Sequence, residues 1–135
     1  MSTFKELCEE LESVIQKAYD EPPTIAEAEK LASKFLYAQM LVSNELTKAD
    51  LNARTRKSGV KAIRAAVYLD EVQKSDKKPS DTLLNAMVDS HEMVNSEQQA
   101  FDAAEVDRAD LERKLDIFQQ GHIFARQLSK GNFNG

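Results

Sequence analysis

From Thr24 to Lys78 the chain contains no proline, and apolar residues recur through this stretch at helical spacing. Ile25, Ala28, Ala32, Phe35, Val42, Leu46, Ala49 and Ala53 keep a coiled-coil-like interval, Leu31, Leu36 and Met40 widen the face, and Val60, Ile63 and Val67 continue it. The spacing predicts one helix from about Ile25 to about Gln73, with Gly59 as the place for a bend. Globular helices usually run to roughly 20 residues, so a helix this long needs another helix along its side, within a coiled coil or an oligomer.

The flanks read as helix too. Thr3 and Glu6 have the spacing of a capping box, in which hydroxyl and carboxylate each satisfy a backbone donor of the first turn, and Thr24 with Glu27 repeats it. Phe4, Leu7, Cys8, Leu11, Val14, Ile15 and Ala18 form the stripe of a short first helix, ended by Glu21-Pro22-Pro23 because proline lacks the N–H and disfavours helix before it. Lys74–Ser80 reads as a loop, with Ser80 or Asp81 capping the next helix. Leu84, Met87, His91, Val94, Phe101, Leu111, Leu115 and Phe118 then recur at helical intervals. The stripe is poor between Ala103 and Asp110, so a break is expected there, and Gly121 is a second candidate stop. The expected fold is all-α and oligomer-forming: a short N-terminal helix, one long coiled-coil-like helix and a C-terminal helical part. It forms a single domain over residues 1–128, with a flexible tail over 129–135.

Charge is distributed unevenly. Residues 1–50 carry 5 basic and 10 acidic groups, residues 51–78 carry 8 and 3, and residues 79–135 carry 5 and 10. A basic middle between acidic flanks presents a local field that the net charge of −5 conceals. On a helix turning about 100° per residue, Arg54, Lys57, Lys61 and Arg64 fall within an arc of roughly 80°, with Tyr68 in the same arc. Val60, Ile63 and Val67 are expected to point the other way, into a core, and Arg56 also points away from the stripe. Like charges on one face repel by roughly a few tenths of a kcal/mol per neighbouring pair. The face becomes favourable against a polyanion, where phosphate neutralisation releases condensed counterions and an aromatic ring can stack a base. The alternatives are pairing with acidic surfaces of another subunit or partner, and then plain solvation.

Motifs for chemistry are missing from the sequence. There is no His-Glu-x-x-His, no Cys-x-x-Cys and no phosphate-binding glycine loop. Glu-x-x-His spacing fails at both histidines, since Val88 and Gln119 stand three residues before His91 and His122. His91 reads as a core residue on the third helix, and Cys8 as packing. No cofactor, metal or catalytic residue is expected, and the chain reads as a non-enzyme. The N-terminus does not resemble a signal peptide and no apolar run approaches a membrane span. The lone Cys8 suits a reducing compartment such as the cytoplasm.

Val60-Lys61-Ala62-Ile63-Arg64 followed by Tyr68, and Leu115-Asp116 followed by Gly121, Ile123 and Arg126, resemble motifs of the UvsY-type phage recombination mediators. That family has a basic Lys-Ala-Arg element before a tyrosine and a Leu-Asp…Gly…Ile-Lys pattern near its C-terminus; here the second pattern lacks one residue. The resemblance spans most of the chain as a loose pattern. It implies ring-like homo-oligomers that bind single-stranded DNA and help a RecA-like recombinase replace a single-strand-binding protein, in the host cytoplasm if phage-encoded. It places DNA contacts at Lys61 and Arg64, to which the helical projection adds Arg54 and Lys57. The departures are the net acidic charge, the absence of tryptophan and the lack of the family's glycine-rich turn after its tyrosines. The alternative is a helical assembly protein (virion scaffold, adaptor or chaperone) whose basic middle meets acidic partner surfaces.

Overall fold

The computed structural model describes residues 3–18 and 20–131. Among them the fold is all-helical: α1 Phe4–Lys17, α2 Ile25–Lys74, α3 Asp81–Asp89 and α4 Glu92–Ser129. Residues 132–135 of the expected tail lie outside the described residues; before them α4 ends in a turn in which Gly131 takes φ 68°. No described helix is long and apolar enough to cross a membrane.

Both capping boxes form. Thr3 accepts from the Glu6 amide at 3.1 Å while Glu6 accepts from the Thr3 amide at 3.3 Å. Thr24 and Glu27 repeat the exchange at 3.2 and 3.3 Å. These bonds occupy backbone donors that a helix start leaves unpaired. Ser80 caps α3, accepting from the Leu83 amide at 3.2 Å.

The chain divides into two compact units, Met1–Leu46 with Asp110–Gly135, and Thr47–Ala109. Six of the buried residues of α2 lie on one side of the helix. Ala28, Phe35 and Val42 recur every seven residues, as do Ala53, Val60 and Val67, but Val42 and Ala53 are eleven apart. At about 100° per residue the steps of seven and eleven nearly cancel, which keeps all six within an arc of roughly 60°. The eleven-residue step spans the boundary between Leu46 and Thr47.

In the first unit, α1, α2 and α4 enclose Leu7, Cys8, Leu11, Phe35, Ala38, Val42, Phe118 and Ala125. The rings of Phe35 and Phe118 sit 6.1 Å apart, tilted by 48°. Gly121 does not end α4. A Cβ there would stand 2.6 Å from Phe35 Cε1, so the glycine admits the ring, and the helix bears the propensity loss of about 1 kcal/mol. His122 also lies within α4, its Nδ1 2.9 Å from the Ala32 carbonyl oxygen, to which the Nδ1–H tautomer donates.

In the second unit, Val67, Val88 and Val94 form a small cluster with Ile63 and Tyr68 against it, and Ala53, Val60, Leu84 and Ala104 are also buried. The helix break expected near Ala103–Asp110 falls at Ser90–His91 instead. Leu84 and Val88 are buried four apart, but the next buried residue is Val94, out of phase with them, and the interruption at Ser90–His91 restores the facing. His91 is therefore not within the third helix. Its Nδ1 accepts from the Met93 amide at 3.1 Å and its carbonyl accepts from the Asn95 amide at 3.0 Å, the bonds of an N-cap for α4. Beyond it α4 runs unbroken through Ala103–Asp110. Arg108 occupies a half-buried position there and meets Glu105 at 3.2 Å and Asp50 at 3.8 Å. A charged side chain can lie along an apolar seam when its stem packs and its head is paired.

Candidate nucleic-acid interface

The basic face belongs to the α2 segment of the second unit, which contains no acidic residue between Asp50 and Asp70. Arg54, Lys57 and Lys61 are exposed and have no ion-pair partner among the described residues. Arg56 is exposed as well. The line of burial on α2 runs beside this face and not opposite it. Val60 and Val67 are buried, and Arg64, four residues beyond Val60, lies only about 40° round the helix from it.

That proximity changes the two C-terminal members of the stripe. Arg64 is half-buried and its Nη2 lies 2.8 Å from Asp89 Oδ1. Tyr68 packs its ring against the Val67, Val88 and Val94 cluster, so the aromatic surface is partly spent on the core. The structure thus presents Arg54, Lys57 and Lys61 together to solvent, keeps Arg64 beside them but engaged, and holds Tyr68 at the margin. Just beyond, Lys74 is paired with Asp70 at 2.8 Å, while Lys77 and Lys78 stand exposed in the loop.

No family model, curated protein or solved structure matches this chain. The arrangement of side chains therefore has to carry the functional reading.

Asp89 was not legible in the sequence as a partner of this face. Its signal was an acidic residue in the last turn of a helix whose last turn holds no basic residue. The helix dipole disfavours a carboxylate there, which asks for a cation from elsewhere. With α3 expected to continue past His91, Asp89 was not recognisable as a helix end.

Other groups offer less. Burial pushes the Cys8 thiol above its ordinary range, which keeps it protonated and suits packing. No group of three or more metal-ligating side chains comes together among the described residues. An apolar cavity of about 400 Å³ in the first unit is walled by Val14, Ile15, Leu31, Phe35, Ile117 and Phe124; Asp116 is the one ionisable residue in its described lining.

Proposed function

We propose that this chain binds single-stranded DNA through the basic face of α2 and acts, as an oligomer, in the manner of a recombination mediator that helps load a RecA-like recombinase on DNA coated by a single-strand-binding protein. The observation that carries the binding step is the grouping of Arg54, Lys57 and Lys61 on one helical face, exposed and without an ion-pair partner among the described residues. Held apart from carboxylates, three like charges gain from a chain of phosphates what they lose by mutual repulsion. Contacts of this kind read the backbone and carry no sequence preference. The mediator step and its protein partners rest on the UvsY-type resemblance.

Self-association is supported by apolar side chains that the first unit leaves outside its core. Leu36, Tyr37 and Met40 on α2 are 51%, 56% and 60% exposed, and Ile123 on α4 is 48% exposed. Of these, Leu36 and Met40 line one shallow surface groove with Leu115, a place for an apolar side chain of a second copy. Repetition of a modest site around an oligomer would raise affinity by avidity.

A second reading is favoured by the Arg64–Asp89 pair, because this face already accepts a carboxylate. On that reading the chain is a helical assembly protein whose basic middle docks on acidic partner surfaces. Titration of a fluorescein-labelled oligothymidylate across a salt series separates the two. Three phosphate contacts predict a log K against log salt slope of about −2 per protomer. Absence of binding at low salt would remove the nucleic-acid reading and leave the assembly reading.

A further inference from the structure

Arg64 belongs by position to the basic face, one turn beyond Lys61, yet it faces Asp89 at 2.8 Å. Asp89 is the last residue of α3, whose final turn contains no basic residue. A carboxylate at that end is opposed by the helix dipole, so nothing local to α3 favours it. What it does have is a guanidinium from α2. The pair is open to water, with the side chains 39% and 62% exposed for Arg64 and Asp89, and exposed ion pairs hold weakly. A phosphate presents a guanidinium with the same kind of anionic oxygens that a carboxylate does.

We propose that Asp89 is an internal stand-in for phosphate, a residue that sets affinity by holding Arg64 out of the nucleic-acid site until a phosphodiester displaces it. This inference rests on the single-stranded DNA reading of the same face. In the resting protein three cations are available at once, and the fourth is released only when the Arg64–Asp89 pair exchanges for Arg64–phosphate. Asp89 then faces solvent. No bond is made or broken beyond these ionic contacts. The exchange taxes binding of any polyanion, so weak or short ligands stop at three contacts.

The test uses the full chain, the same labelled oligothymidylate and a double-mutant cycle of Asp89→Asn, Arg64→Ala and their combination. Asp89→Asn keeps the size of the side chain but removes its charge. It is expected to tighten binding about 3- to 10-fold at low salt and to move the salt slope from about −2 to about −3, because in the wild type the Arg64–phosphate contact is gained only by freeing the Asp89 carboxylate, which takes up a cation in its place. In the Arg64→Ala background the same change is expected to alter affinity less than about twofold, because only the general loss of a negative charge remains. Helix content by circular dichroism should be equal in all four proteins. Wild-type binding with an unchanged Asp89→Asn variant would overturn this inference and leave the DNA reading intact. An equal gain in the Arg64→Ala background would also overturn it, by reducing Asp89 to a diffuse charge. Failure of every variant to bind would overturn both.

Discussion

The two units use the same long helix in opposite ways. In the first, α2 brings Phe35 and Val42 into a core with Phe118 and Leu11, large side chains that exclude water completely or nearly so. In the second, α2 contributes Ala53, Val60 and Val67 to a thin seam, and charged groups reach its edges: Arg108 meets Asp50 and Glu105, and Arg64 meets Asp89. Burial of apolar area supplies most folding free energy, so the first unit has more to lose from truncation. The second gives up core volume and gains an outward face rich in cations. Stability and the candidate site are thereby placed on different lengths of one helix.

The largest effect should come from breaking that contrast in the core. Phe118→Ala removes a fully buried ring that packs on Phe35, and should cost about 3–5 kcal/mol in urea unfolding. Val67→Ala removes two methyl groups from the second unit's cluster and should cost about 2 kcal/mol. Equal costs, or the reverse order, would contradict the assignment of the main core to the first unit. Native-state hydrogen exchange should show protection lost chiefly within the unit that carries each change.

The glycines sharpen the comparison at smaller scale. Gly121→Ala drives a Cβ to 2.6 Å from Phe35 Cε1, against a ring locked in the core. Overpacking should outweigh the gain in helix propensity and destabilise the protein by about 1–2 kcal/mol. Gly59→Ala places its Cβ 3.2 Å from Glu97 Oε2, the mobile end of a side chain that can swing aside. There the propensity gain of about 0.5–1 kcal/mol should survive, and the thermal midpoint should rise. Matching signs for the two substitutions would mean that the units are packed alike.

Much of the fold was legible because its signals are local. The Thr3–Glu6 and Thr24–Glu27 boxes, Pro22-Pro23 and the proline-free run after them set the starts of α1 and α2 to the residue. What was not legible depended on neighbours distant in sequence. Gly121 looked like a stop because its value lies in the Phe35 ring 86 positions away. The poor stripe around Arg108 looked like a break because its partner, Asp50, lies on α2. The interruption at Ser90–His91 carries no glycine or proline, and only the phase difference between Val88 and Val94 demands it. Of the candidate site, Arg54, Lys57 and Lys61 followed from helical projection alone. The engagement of Arg64 and Tyr68 did not, since it required knowing that the buried line runs beside the stripe.

A nucleic-acid role for this face requires that those three exposed cations meet phosphate. The most direct measurement compares wild type with the Arg54→Ala/Lys57→Ala/Lys61→Ala variant, by anisotropy of a labelled oligothymidylate at low salt. The variant should lose at least about tenfold in affinity, with its salt slope falling from about −2 towards zero, while helix content and thermal midpoint stay close to wild type. A variant that keeps its fold and binds the oligonucleotide as tightly as wild type would contradict the assignment of this face to nucleic acid.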